Sequence, residues 1–144
     1  MNALGQAFMN QNVQSPFLTI EQTLRDIDHD LSILDIHAEA TSEKVALGHY
    51  FDGKIDIIFG THTHVQTHDS RILPEGTYYL TDVGMTGPLN GVIGVKKEIV
   101  IDRFINGYSL PNSVDDGAIQ LNGWYIDTQQ KTHQLIHLEH DEIN

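Results

Sequence analysis

Three features of the sequence predict an α/β fold built on parallel strands, with a β-rich carboxyl-terminal segment. The run Ile55-Asp56-Ile57-Ile58-Phe59 reads as a buried strand that stops at Gly60 and releases the pair His62-Thr63-His64. An earlier run, Leu31-Ser32-Ile33-Leu34-Asp35-Ile36, has the same form and delivers His37 at its end, with helical sequence between the two. From Tyr108 onward the sequence turns to the pattern of strands.

Taken in order, Met1–Met9 reads as a strand and residues 10–16, ending in Ser-Pro, as a loop. Thr19 is placed to cap a helix through His29, with Gln22 in the capping-box position and Ile20, Leu24 and Ile27 on one face. After the His37 strand, Thr41 or Ser42 starts a second helix in which Val45, Ala46 and Tyr50 face inward and which Gly53 ends. Strand, helix and strand then make a parallel crossover, and Gly60 is expected to supply the sharp turn beyond it. Residues 65–70 form a polar loop from which His68 and Asp69 could reach the crevice, the plainer reading of His68 being an exposed loop residue. Arg71-Ile72-Leu73 and Thr77–Leu80 flank Pro74-Glu75-Gly76 as a hairpin.

Gly84, Gly87, Gly91 and Gly94 suit either close approach of the backbone to a phosphate or site rim, or ordinary turns, and their spacing matches no phosphate-binding fingerprint. Lys96–Ile105 reads as a helix ending before Gly107, although Ile99-Val100-Ile101 also permits a strand. Ala118–Asp127 and Thr132–Glu139 form a hairpin that sets His133 and His137 on a solvated strand face and leaves His140 unassigned. No internal repeat, heptad or linker divides the chain.

A length of 144 residues, 40% hydrophobic and 19% charged, suits one domain with a core. There is no cysteine, which excludes disulfides and thiolate metal sites and fits a reducing cytoplasm, the expected location. No run approaches the roughly 18 apolar residues of a membrane span, and no signal-peptide pattern opens the sequence, so no membrane partner is expected. A net charge of -12 argues against a nucleic-acid backbone as partner, since such binding needs a basic stripe. Small anions remain compatible, because two divalent cations would add about +4 locally and reverse the field in a crevice.

The chemistry concentrates on His37, His62 and His64. If the two strands lie side by side and parallel, the three imidazoles arrive at one crevice beyond their carboxyl ends, where α/β folds place their sites. Neutral imidazoles in that arrangement suit Zn, Mn or Fe; hydrogen-bonded or exposed histidines without a metal are the plain alternative.

The blocks Asp35-Ile36-His37-Ala38-Glu39-Ala40-Thr41-Ser42-Glu43-Lys44, Gly60-Thr61-His62-Thr63-His64-Val65-Gln66-Thr67 and Thr81-Asp82-Val83-Gly84-Met85-Thr86-Gly87-Pro88 resemble three successive signatures of the YmdB-like metallophosphoesterases, a family of the calcineurin-like phosphoesterases. The resemblance implies part of a metallophosphoesterase-type α/β sandwich and a dinuclear site of two divalent ions, iron or manganese before zinc, that hydrolyses small phosphodiesters. It implies His37 and His62 on one metal and His64 on the other. Glu39, Thr61 and Asp82 become candidates for orienting an imidazole N–H or a loop amide. The early Asp, bridging Glu, Asn and general-acid His of the family have no counterparts here, so the catalytic acid is unassigned and residues 1–144 are expected to form one incomplete domain lacking its amino-terminal half.

The alternative from a different class is a non-catalytic, truncated or split module that binds metal weakly or needs a partner for the missing ligands. Two other HxH folds fit less well: amidohydrolase barrels need about 250 residues, and cupins are all-β. An incomplete sheet should also expose apolar surface on Met1–Met9 and on the His37 strand, which favours homo-oligomers or association with a complementing half.

Overall fold

In a computed structural model the chain is described over residues 1–10, 12–108 and 110–141; Gln11 of the expected 10–16 loop and Ser109 lie outside the described residues. A sheet ordered β1-β2-β3-β5-β4 contains β1 (Asn2–Leu4), β2 (Ile33–His37), β3 (Ile57–Thr61), β4 (Arg71–Ile72) and β5 (Tyr78–Leu80). Its first four members in that order are parallel, and β4 runs antiparallel to β5 as the expected hairpin. A second sheet, β6 (Gly87–Pro88), β7 (Ile119–Asp127) and β8 (Thr132–His140), is antiparallel. The α/β class and the β-rich carboxyl-terminal segment are therefore both present.

Helix α1 is Pro16–Asp26, several residues earlier than the capping-box pattern at Thr19 predicts. Proline is pre-organised for the first helical position, and it sets the start. Thr19 instead lies one turn inside, where its hydroxyl donates to the Ser15 carbonyl at 3.1 Å. Ile20 is buried and Leu24 packs on the core, whereas Ile27 falls beyond the helix and is exposed. Strand β1 is also shorter than Met1–Met9. It ends before Gly5, where a side chain would collide with Ala38 and Glu43, and the amides of Gln6 and Ala7 then bind the Glu43 carboxylate.

Helix α2 (Thr41–Tyr50) makes the crossover from β2 to β3, but its inward face is Lys44, Leu47 and Gly48. Val45 is half-buried, and Ala46 and Tyr50, expected inside, are exposed. The reason is one of fit: a Cβ on Gly48 would strike the Tyr79 ring, so this glycine lets the helix settle on β5. The core lies between the helices and the sheet and includes Leu34, Ile36, Leu47, Phe51, Ile58 and Tyr79. Because β2 is an inner strand with Leu34 and Ile36 fully buried, the apolar exposure expected on the Leu31–Ile36 run is confined to Leu31 and Ile33. Toward the first sheet edge, Met1 and Phe8 are exposed.

Helix α3 (Lys97–Asn106) ends where Gly107 adopts a left-handed φ of 74° and donates its N–H to the Arg103 carbonyl, the expected glycine stop. Among the described residues no helix is long and apolar enough to cross a membrane.

Gly60 departs from its expected role. It is a strand residue, paired with Ile36, and its lack of a side chain serves close approach: a Cβ would collide with the Thr81 carbonyl oxygen and meet Lys44 Cδ at 2.8 Å. Gly60→Ala should therefore destabilise the fold by about 1–3 kcal/mol, the range of overpacking substitutions. Gly123→Ala, whose methyl would meet Ile136 Cβ at 3.8 Å, should leave stability within about 0.5 kcal/mol. Urea denaturation midpoints of the two variants check the contrast.

Candidate functional site

The site begins with register. Pairing of β2 and β3 runs from Ile33 opposite Ile57 to His37 opposite Thr61, so both strands end together at one edge of the sheet. The chain then turns through His62 and His64, which hold φ values of 105° and 66°. Such angles in non-glycine residues cost about 1–3 kcal/mol each and require the surroundings to hold them.

The turn brings His62 Nδ1 to 3.1 Å from His37 Nε2, with the rings edge to face. The other nitrogen of each ring is engaged. Thr61 donates its hydroxyl proton to Asp35 Oδ1 at 2.8 Å, so its oxygen accepts from His37 Nδ1–H at 2.9 Å. His37 Nε2 therefore presents a lone pair. On the far side, Glu39 Oε2 lies 3.1 Å from His62 Nε2, and a carboxylate there calls for an N–H on that nitrogen. His62 Nδ1 faces the lone pair of His37 Nε2 at 3.1 Å, close enough for the two nitrogens to share one proton or to be neighbours on one metal ion.

Glu39 and Thr61 thus stand beside the imidazoles named from the sequence. Asp35, which fixes the orientation of Thr61, was missed; its place two residues before His37 on the same face of β2 was the available signal. The His64 ring is exposed, while its carbonyl accepts the Met85 N–H at 3.2 Å. Among the described residues no group of three or more His, Asp or Glu side chains is gathered closely enough to hold a metal ion.

Asp82 does not touch an imidazole. Its Oδ2 accepts from Lys44 Nζ at 2.8 Å, Thr63 N at 3.0 Å and Thr63 Oγ1 at 2.7 Å, and its Oδ1 accepts from Gly84 N at 3.0 Å. Thr63 is the middle residue of the strained turn. Lys44 and Asp82 are each 1% exposed, a buried ion pair that sequence reading passed over because the lysine sits on a helix face expected to be apolar. Burial pushes the Asp82 carboxyl up, and the Lys44 ammonium, the Thr63 hydroxyl and the Gly84 and Thr63 amides pull it further down, so it titrates below its ordinary value.

The neighbouring segments are occupied by the protein itself. Asp69 turns toward Thr81, to which it is hydrogen-bonded through backbone and side chain, and His68 is exposed. At Gly84 a Cβ would meet Gln66 at 2.9 Å, so the close approach in the glycine-rich loop is to the chain's own backbone. Gln66 Nε2 in turn reaches the carbonyls of Gly123 at 3.0 Å and Ile136 at 3.2 Å, joining the His loop to the β7–β8 hairpin. His133, expected on a solvated face, is half-buried and packs edge-on to the rings of Tyr78 and Trp124. His137 is exposed as expected and bonds Asn122 and Glu139.

Comparison with known proteins places the chain in a family. The model of the family described as YmdB-like protein matches residues 1–140. The chain is 42% identical to the 2′,3′-cyclic-nucleotide 2′-phosphodiesterase of Bacillus subtilis (strain 168), covering 100% of this chain and 55% of that protein. The crystal structure of a novel phosphatase from Mycoplasma pneumoniae superposes with a TM-score of 0.89 at 39% identity, over 98% of this chain and 53% of that one. A hypothetical protein from Thermus thermophilus superposes with a TM-score of 0.88 at 35% identity, over 99% and 56%. The chain spans about half the length of the curated relatives it matches.

A folded-state pKa below the unfolded value means that Asp82 contributes stability above about pH 3.9 and loses it as the pH falls through the lower folded value. Asp82→Asn should cost on the order of 3 kcal/mol at neutral pH, by stranding the Lys44 charge. That difference from wild type should shrink as the pH is lowered from about 5 toward 3. Denaturation curves across this range check it; a difference independent of pH would contradict an ionised Asp82.

Proposed function

Because the chain belongs to the YmdB-like family, we propose that it carries the histidine half of a metal-dependent phosphodiesterase site acting on small phosphodiesters. The observation that carries the reading is the pair of facing imidazole nitrogens, His37 Nε2 and His62 Nδ1, at 3.1 Å. Metal–imidazole bonds of about 2.0–2.1 Å fit two nitrogens at that separation as neighbours on one ion. The family resemblance favours iron or manganese, with zinc as a third choice, and a cysteine-free imidazole set is compatible with a divalent transition metal. His64, which is exposed, is assigned to a second ion on the family resemblance.

When bound, two divalent ions would supply positive charge for the phosphate oxygens and would lower the pKa of a water toward ~7, the chemistry that phosphodiester hydrolysis needs. The residues of this chain prepare that chemistry. Thr61, backed by Asp35, keeps the proton of His37 on Nδ1 and its lone pair on Nε2. Glu39 does the same for His62 from the opposite nitrogen, and Asp82 holds Thr63 between the two loop histidines. None of these residues is assigned as the general acid, which is ascribed, with the carboxylate ligands, to the part of the relatives that the chain does not match. The Bacillus subtilis relative's name suggests a cyclic nucleotide as substrate. The lack of cysteine supports a cytoplasmic setting.

A second reading, a non-catalytic module that binds metal weakly or awaits a partner, is favoured by the absence of a three-residue metal cluster among the described residues. One experiment separates the two. Metal content and hydrolysis of a 2′,3′-cyclic nucleotide are measured for the chain alone and mixed with a polypeptide carrying the part of the Bacillus subtilis relative that the chain does not match. The chain alone should bind one equivalent or less, weakly, and lose it in His37→Ala and His62→Ala. The mixture should approach about two equivalents and hydrolyse the substrate, both lost in His62→Ala/His64→Ala. A mixture that folds but gains neither metal nor activity supports the second reading.

A further inference from the structure

The buried cation beneath the His turn has no part in the reading above. Lys44 enters from α2, passes the space left by Gly60, and ends 2.8 Å from Asp82 with 1% of its side chain exposed. A charge so buried is tolerated when it is paired and hydrogen-bonded. Asp82 is in turn bonded to both the amide and the hydroxyl of Thr63, flanked by the two residues whose backbones are strained. The contacts form one line, from α2 through Lys44, Asp82 and Thr63 to His62, ending at His37.

We propose that Lys44 is a positioning residue for the histidine pair: its buried ammonium holds Asp82 against Thr63, and thereby keeps the His62–His64 turn in the strained shape that sets His62 beside His37. A neutral residue at position 44 would leave the Asp82 charge buried without its cation, and that carboxylate would move toward water or take up a proton. In the first case Thr63 loses its anchor, and in the second it keeps only the weaker hydrogen bonds of a neutral carboxyl, so the turn relaxes. The proposal deepens the reading of the site as a metal centre, but the placement of His62 against His37 does not require that reading.

The test is made on the metal-free chain first. The nuclear Overhauser effect between the His37 and His62 rings, and the exchange protection of the Thr63 amide, are compared in wild type, Lys44→Met, and Lys44→Met/Asp82→Leu. The double variant replaces the ion pair by apolar side chains of similar volume, a change that often preserves stability, so it stays informative if the single variant fails to fold. Each folded variant, judged by retained dispersion of the β7–β8 hairpin signals, should lose the ring contact and the Thr63 protection. Mn²⁺ affinity should weaken about tenfold or more, as for residues that orient metal ligands. A folded variant that keeps the ring contact and the protection overturns the proposal. Wild-type chain that shows the ring contact but binds no Mn²⁺, alone or complemented, sinks the metal reading and leaves the positioning role standing.

Discussion

Everything at the site depends on the parallel register of β2 and β3, and that register is clamped at both ends. At the entry, the Asp56 carboxylate accepts from the Ser32 amide at 2.8 Å and hydroxyl at 2.6 Å, while Ser32 Oγ accepts the Asp56 amide at 2.9 Å. At the exit, Asp35, Thr61 and His37 are linked across the same two strands. Between the clamps Leu34, Ile36 and Ile58 are fully buried. A slip of one residue would turn those side chains out of the core and carry His37 to the opposite face of the sheet. Hydrophobic burial and the placement of the imidazole are thus fixed by the same hydrogen-bond ladder.

Beyond the ladder the backbone works against its own preferences. The positive φ values at His62 and His64 are held by contacts on either side: Asp82 binds Thr63 between them, and the Met85 amide binds the His64 carbonyl. Gly60 lies underneath, admitting both the Thr81 carbonyl and the Lys44 stem to a place a side chain would fill. The glycine that the sequence shows at the strand end therefore permits the anchor, and the histidines make the turn.

This explains which parts were legible beforehand. The apolar runs, the hairpins, the Gly107 stop and the positions of His37 and His62 follow from local patterns that tertiary packing leaves intact. Thr19 fails as a cap because Ser15-Pro16 offers a better start one turn earlier. The face of α2 fails because the interior needs a glycine against Tyr79 and a cation against Asp82, neither of which an apolar count can find. Gly60 is misread because its neighbour, Thr81, is distant in sequence. Each of these depends on a partner that the local stretch does not contain.

The acidity of the chain takes on a different meaning once its carboxylates are located. A net charge of -12 suggests a ready supply of anionic ligands, yet those near the crevice are already bound to protein donors. Asp35 receives Asn2 and Thr61, Glu43 receives the Gln6 and Ala7 amides, Asp69 receives Thr81, and Asp82 receives Lys44, Thr63 and Gly84. Releasing any of them would leave a buried or half-buried donor unsatisfied, a cost of about 1–3 kcal/mol each. Glu39 already faces His62 Nε2 at 3.1 Å. With each carboxylate in this group already engaged, what these residues offer is imidazole nitrogens held in place by anions. A two-metal centre of the kind proposed would need its compensating charge from residues outside this set.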